Sequence, residues 1–412
     1  METLTSAGLR LSVPDLSARV SPHQVASLLA RLIASRAAVT QADLVRVTGL
    51  SRSTVSAALE LLDRRQAVRR VGTRPTPGRG RSADLLGLNP RFGLVLVADV
   101  GAHAACLTVN DLGQTELARR DVRLDIAAGP TRVLDEITGD FRAMLDELPT
   151  GLRPLVIVIG LPGPMDTRRG TPVKPPIMPG WDAYPVSEQL ADDFGCPVLL
   201  ENDVNLRALG EARALPPEQS PLLYVKVSTG IGGGLVTANG ELHHGADGAA
   251  GDIGHVRVAG ADDALCACGN YGCVEALASA SAIIGRLRQL RSDAPNDLDG
   301  LTALLRAGDK VTVGMVRSGA EQLGEVVASL VHFFNPARVV VGGGLAVASD
   351  DVLAGVRAVV YRRSLPLATR NLVISQPVLG RRSGTAGGIV LGIEAALSVN
   401  SLTAALSEPA RR

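Results

Sequence analysis

The sequence predicts a small winged helix-turn-helix head in front of a larger α/β body. Two observations predict this division. Charge is uneven: residues 1–90 hold 13 Arg against six Asp plus Glu, a net +7, so the rest of a 412-residue chain of net charge +1 carries −6. Apolar periodicity is helical up to about residue 64, and after residue 91 it becomes short apolar runs that end in glycine-rich turns. Aromatic residues make up only 2% of the chain, so both cores have to be built from Ala, Val, Leu and Ile. A basic head on an acidic body points to a nucleic-acid-binding module joined to something else.

Residues 1–20 read as an N-terminal tail, and the head as residues 21–90. Val25, Leu28, Leu29 and Leu32 fall at i, i+3, i+4 and i+7, an amphipathic helix with Pro22 in its first turn. In "VTQADLVRVTG", Thr40 is an N-cap with Asp43 three residues on, and Gly49 supplies a tight turn. Ser51 caps a third helix whose buried stripe is Val55, Ala58, Leu59 and Leu62. That stripe leaves Arg52, Ser53, Thr54 and Ser56 facing outward at the start of the helix. A helix, a glycine turn and a helix with an exposed, hydrogen-bonding first turn is how a recognition helix enters the major groove. Val68–Val71 and Ala83–Leu88 predict a hairpin whose tip, "TRPTPGRGR", reads as a wing that places Arg74, Arg79 and Arg81 beside the duplex. The alternative is a helical bundle with a solvated basic linker. The order of helix, turn and wing favours DNA binding.

The body reads as α/β. "FGLVLVADVGAHAACLTVNDLG" predicts a buried strand ending at Asp99, a turn at Gly101 and a second strand from Ala104 to Val109. "LVIVIGLPGPMD", "LLYVKVSTGIGGGLV" and "ARVVVGGGLA" are apolar strands running into Gly loops, and "PVLLENDVNLRALGEA" is a strand followed by an acidic-amide cluster that opens a helix. Such alternation places ligands at strand ends. Three of the five cysteines crowd into "CACGNYGCVE", with His255 upstream in "GDIGH". Cys266, Cys268, Cys273 and His255 form a Cys3His set suited to tetrahedral Zn²⁺, and a closed four-ligand shell implies a structural ion. The spacing is not that of a C-x-x-C redox pair, and the alternative is three buried free thiols. With no secretory signal and no apolar run near the roughly 18 residues of a membrane span, a cytoplasmic protein without a membrane partner is expected.

Five features follow one another: a D-x-G hairpin, G-x-P-G-x-x-D, E-N-D-x-N, S-T-G-x-G-G-G, and G-x-x-G-x-x-G-D-I-G-H with C-x-C-G-x-x-G-C-x-E. In this order the chain resembles the ROK family of sugar kinases and sugar-responsive repressors, within the actin-like ATPase superfamily. The resemblance covers nearly the whole chain, including the winged helix-turn-helix of the repressor branch. It implies a two-lobed actin-like ATPase (ROK sugar kinase-like) body. The first lobe would be residues 91–205, with a C-terminal helix 385–400 packing back on it, and the second lobe would be 206–384, with the zinc site. It also implies sugar contacts from Asn202, Asp203, Asp252, His255 and Glu275, with His255 ligating zinc through its other ring nitrogen. In a kinase, Asp203 would be the general base. Read by itself, the E-N-D stretch also suits a helix cap.

The chain departs from the family where kinases carry D-x-G-G-T-K. Here the segment is "DVGAHA", with Ala102, His103 and Ala104 in place of Gly-Thr-Lys. Bound ATP with Mg²⁺ is therefore not expected, because phosphoryl transfer depends on positioning and charge neutralisation. Asp252 stands where the family has Glu. The resulting expectation is a transcriptional regulator of carbohydrate metabolism, read as a repressor and not an enzyme. It would bind operator DNA as a homodimer or tetramer and respond to a sugar or sugar derivative. The alternatives are an ATP-dependent sugar kinase that also binds DNA, a metal-responsive regulator, and an activator.

Overall fold

The computed structural model describes residues 8–12, 21–75, 82–149 and 151–402. In the head, α1 (Pro22–Ala34), α2 (Gln41–Thr48) and α3 (Arg52–Arg64) precede the strands β1 (Val68–Arg74) and β2 (Ala83–Leu88). The caps explain the helix starts. Ser21 and Gln24 form a reciprocal capping box on α1; Thr40 Oγ1 accepts from Asp43 N at 3.1 Å, and Ser51 Oγ from Thr54 N at 3.1 Å. Gly49 ends α2 at φ +68°, the left-handed conformation that glycine adopts without cost. β1 and β2 pair antiparallel from Val68↔Leu88 to Arg74↔Ala83. The wing tip, with Arg79 and Arg81, lies outside the described residues.

The body begins with β3 (Leu94–Val100), β4 (Ala104–Asp111), β5 (Glu116–Arg123), α4 (Pro130–Asp146), β6 (Pro154–Leu161), the short pair β7 (Met165–Asp166) and β8 (Thr171–Pro172), α5 (Val186–Phe194) and β9 (Val198–Asn202). Its sheet runs β5-β4-β3-β6-β9, antiparallel through β5, β4 and β3 and parallel from β3 to β9. All seven residues of β3 are buried, as expected of a strand covered on both faces. After α6 (Asp203–Ala214) come β10 (Leu222–Val227), β11 (Ile231–Val236), α7 (Glu275–Ala278), α8 (Ala280–Leu290), α9 (Leu298–Arg306), α10 (Lys310–Phe334), β12 (Arg338–Gly342), α11 (Gly344–Ala348), α12 (Asp350–Arg363), α13 (Pro366–Thr369), β13 (Val373–Ser375) and α14 (Ser383–Ala396). The second sheet runs β11-β10-β12-β13. Its pairing, one antiparallel hairpin followed by two parallel neighbours, repeats that of β4-β3-β6-β9. The body thus has two lobes with the same wiring.

Helix α6 lies between them. Ten of its twelve residues are buried, so it is an internal helix and not a surface one. It packs on α14 through glycines: a Cβ on Gly210 would overlap Ser383 O, and one on Gly387 would overlap Leu206 O. The expected lobe boundary at 205/206 falls inside this helix, because the chain enters α6 directly from β9 and α6 serves both sheets.

Residues 8–12 also differ from the expected tail. Leu9 and Leu11 are buried in one core with α1, Leu397, Leu402 and Val95. Leu9 N donates to Gln114 Oε1 at 2.6 Å, and Gln114 Nε2 returns a bond to Leu9 O at 2.8 Å. Head and body thus share a continuous hydrophobic core, closed by Ser27 Oγ donating to Leu397 O at 2.5 Å and Arg31 Nη2 to Glu394 O at 2.7 Å. Among the described residues, no helix is long and apolar enough to cross a membrane.

Candidate functional site

The five residues expected to bind sugar are carried by segments that pack around the start of β11. Glu275, at the start of α7, accepts a bond from Ile231 N through Oε2 at 2.8 Å. Gly233 N donates to Gly251 O at 2.7 Å, which brings the 3-10 turn Ile253–His255 and its neighbour Asp252 against the same strand. From the other side α6 packs on β11, with Val204 against Gly232 and Gly234. This delivers Asn202, its N-cap, and Asp203, its first residue. Asp252 is exposed. Asn202 is already occupied: Oδ1 accepts from Val204 N at 2.8 Å and Asn205 N at 3.2 Å, while Nδ2 donates to Gly163 O at 2.8 Å. One amide N–H of Asn202 remains for a ligand.

Glu201, the first residue of E-N-D, was not singled out in the sequence. It is buried and organises this edge: Oε1 accepts from Asn202 N (2.8 Å) and Asn205 Nδ2 (2.9 Å), and Oε2 meets His244 Nε2 at 2.7 Å. The hydrogen bond to Glu201 raises the His244 pKa, partly opposed by burial. The pair ties the loop after β11 to the start of α6.

Asp203 is not free. Its carboxylate is bonded to Lys226 Nζ of β10 and lies 3.8 Å from Arg207 Nε, one turn further along α6. Arg207 Nη2 in turn binds Asp99 Oδ1 and Oδ2 at 3.0 and 2.9 Å. Burial works against the Arg207 cation, but Asp99 and Asp203 more than offset it, and its pKa is raised. The "DVGAHA" turn is pinned as well, since Ala102 O accepts from Ile126 N at 3.0 Å and Gly101 N donates to Ala104 O at 2.8 Å.

The expected metal ligands converge. One atom each from His255, Cys266, Cys268 and Cys273 lies within 4.8 Å of the others. His255 Nδ1 is 3.7 Å from Cys266 Sγ, and Cys268 Sγ is 3.7 Å from Cys273 Sγ. Zn–S bonds of about 2.3 Å in a tetrahedron give S···S edges of about 3.8 Å, so the set fits zinc. The local backbone explains the convergence. Cys266 N donates to Asn270 O at 2.8 Å around Gly269 at φ +89°, and Val274 N donates to Val256 O at 3.0 Å, which sets His255 beside Cys273. Burial, reinforced by the neighbouring thiols, pushes Cys273 up to about 12, and burial also raises Cys266, while the Asn270 backbone N–H lowers Cys268, so a cation is needed to hold Cys266 and Cys273 as thiolates. With Nδ1 directed at Cys266, His255 keeps Nε2 for another partner.

In the head, Arg52, Ser53 and Thr54 are exposed on the first turn of α3. The Ser53 and Thr54 hydroxyls meet Ser51 Oγ at 2.8 and 2.7 Å. Ser56 is half-buried and accepts from Gln41 Nε2 at 2.6 Å, so Gln41, absent from the sequence-based set, shares this face. Arg74 is ion-paired with Asp43 at 3.3 Å, next to the Arg46–Asp43 pair at 3.2 Å, and is therefore held to α2.

Residues 95–395 match the ROK family. The xylose repressor of Caldicellulosiruptor bescii is 27% identical over 387 residues, spanning 90% of this chain and 96% of that protein. A crystal structure of a ROK family transcriptional regulator, a homologue of the E. coli MLC protein, shares the fold with TM-score 0.75 at 21% identity, over 93% of this chain and 98% of its own. ROK hexokinase from Thermus thermophilus is 32% identical with TM-score 0.59, over 73% of this chain and 97% of its own. The family match runs from β3 to α14, well over half of the sequence, and the chain belongs to the ROK family.

Proposed function

We propose that this protein is a sugar-responsive transcriptional repressor of carbohydrate-metabolism genes. One observation carries the reading. A helix-turn-helix head shares a continuous core with a kinase-like body whose two central carboxylates, Asp99 and Asp203, are already ion-paired within the chain. The likeness to a xylose repressor over almost the full length of both proteins supports it.

In this reading Asn202, Asp203, Asp252, His255 and Glu275 hydrogen-bond the hydroxyls of a sugar or sugar derivative. A zinc ion held by His255, Cys266, Cys268 and Cys273 would fix the loop that presents His255. Arg52, Ser53, Thr54 and Ser56 of α3, with Arg74, Arg79 and Arg81 of the wing, would contact operator DNA. Two copies would place their heads on half-sites about one helical turn apart, roughly 34–36 Å. The signal path is α6: its first turn carries Asp203, and its last turn is held by the head-side segment through Arg10, which donates to Ala212 O at 2.6 Å and Leu215 O at 3.0 Å. A sugar then changes DNA affinity only as far as it prefers the non-binding arrangement.

The body would not act as a kinase. "DVGAHA" lacks the hydroxyl- and amine-bearing turn, and Oδ2 of Asp203 faces both Lys226 and Arg207. The test is thermal unfolding of the full chain across hexoses, pentoses and amino sugars, with and without Mg–ATP, since a ligand of the native state raises the melting temperature by mass action. A sugar that stabilises by itself supports the reading. ADP formation with a sugar would instead support the alternative, an ATP-dependent sugar kinase, in which Asp203 would be the expected base.

A further inference from the structure

By the family resemblance, Asp99 and Asp203 lie in the segments that approach nucleotide phosphates and the reacting hydroxyl in a kinase. The residues around them do not fit magnesium with nucleotide. Both Asp99 oxygens face Arg207 Nη2, and Gly384 at the start of α14 packs so closely that a Cβ there would overlap Oδ2. The Asp99 and Asp203 side chains are 4% and 2% exposed. Asp203 is held by Lys226 from β10 and has Arg207 Nε at 3.8 Å. Two carboxylates and two cations sum to zero, which leaves no unmet negative charge to attract a divalent ion. Mg²⁺ also requires near-octahedral oxygens at about 2.0–2.1 Å and keeps several of its waters. A guanidinium wedged between the carboxylates leaves room for neither.

We propose that Arg207 and Lys226 are the resident cations of this centre. They keep it shut to divalent metal, and replacing them with neutral residues turns Asp99 and Asp203 into a divalent-cation site. The inference rests on the non-enzymatic reading of the body. It assigns a function to two charged residues that neither sugar nor DNA binding uses. Arg207 is suited to the role because a guanidinium stays charged when buried and can span two carboxylates. Its position four residues after Asp203 places both on one face of α6.

The experiment uses zinc-loaded full-length protein and counts bound Mn²⁺ by the loss of the free-ion EPR signal. Wild type is compared with R207A/K226T and with D99N/R207A/K226T. The double variant is expected to bind one Mn²⁺ at least about tenfold more tightly than wild type, with a melting temperature that climbs with Mn²⁺ as mass action requires. The triple variant is expected to return to wild-type behaviour. A double variant that has the wild-type circular dichroism spectrum and binds no more Mn²⁺ than wild type overturns the proposal. So does wild-type Mn²⁺ binding that D99N abolishes. If the double variant does not fold without metal, R207Q is refolded with and without Mn²⁺: a higher yield with the ion supports the proposal, and an unchanged yield contradicts it. Sugar phosphorylation by wild type would sink the non-enzymatic reading itself, whereas absent phosphorylation with no gain of Mn²⁺ sinks only this inference.

Discussion

Arg213 Nη1 and Glu394 Oε1 meet at 2.8 Å, joining the last turn of α6 to the last turn of α14. The junction extends to the head. Arg213 also binds Gly240 O at 2.9 Å and Arg10 O at 3.2 Å, Glu394 Oε1 accepts from Ser12 N, and Arg31 of α1 binds Glu394 O at 2.7 Å. One helix therefore has Asp203 at its beginning and the head-to-body joint at its end. A shift of α6 by ligand contacts has a mechanical route to the DNA-binding helices.

Glu394→Gln keeps the shape of this joint but removes its charge. The variant is expected to bind sugar and DNA separately while the sugar-induced loss of DNA affinity shrinks by about 0.5–2 kcal/mol, the scale at which linking residues modulate coupling. Fluorescence anisotropy of a labelled duplex, with and without the sugar found by thermal shift, reads this directly. An unchanged sugar effect would rule out the Arg213–Glu394 joint as the route.

Loss of a metal from the Cys3His set is expected to weaken sugar binding and to affect DNA binding only slightly. Cys268→Ser breaks the Cys3His shell of the loop carrying His255; that loop packs on Gly233 of β11, whereas α6 packs on Gly232 and Gly234 of the opposite face. Loss of sugar-induced stabilisation is expected, with operator affinity in the absence of sugar kept within about threefold, under 1 kcal/mol. Loss of DNA binding on mild chelation would instead favour the metal-responsive alternative.

The exposed first turn of α3 gives a third expectation. Arg52→Ala should weaken binding to a selected duplex by about 1–3 kcal/mol if Arg52 reads a base edge. Its melting temperature should stay close to wild type, because surface substitutions away from a structural contact change stability by about 0.5 kcal/mol or less. Equilibrium binding at two salt concentrations, together with thermal unfolding, checks both parts.

The His244–Glu201 pair makes stability fall as pH rises. Its imidazole pKa is raised in the folded protein, so the folded state binds the proton more tightly than the unfolded chain does. This stabilisation is complete below the unfolded value, about 6.5. It disappears as pH climbs through the higher folded value. Melting temperatures from pH 5 to 9 are expected to decline more steeply across this window for wild type than for His244→Gln.

What was legible in the sequence was local or chemically distinctive. Thr40, Gly49 and Ser51 place the head helices because caps and turns act over three or four residues. The Cys3His set was legible because three thiols stand within eight residues and only the imidazole comes from further away. Arg207 was not legible. On a helix it reads as an ordinary charged position, and its strongest partner, Asp99, is 108 residues distant in sequence. The same distance hid the anchoring of Leu9 and Leu11, whose partners include Gln114, 105 residues from Leu9. The expected lobe boundary at 205/206 lies within α6, because the end of β9 reads as the end of a unit although α6 begins there and serves both sheets.

The most direct test of the central claim is DNA binding under sugar titration. Full-length, zinc-loaded protein is first used to select its preferred duplex from a random pool, and affinity for that duplex is then measured against increasing xylose, glucose and amino sugars, without nucleotide. The account predicts that one sugar weakens binding in a saturable way, with the same midpoint as its stabilisation of the free protein, and that Mg–ATP adds nothing. A protein whose DNA affinity no sugar changes, and which converts sugar and ATP to sugar phosphate and ADP, would contradict it.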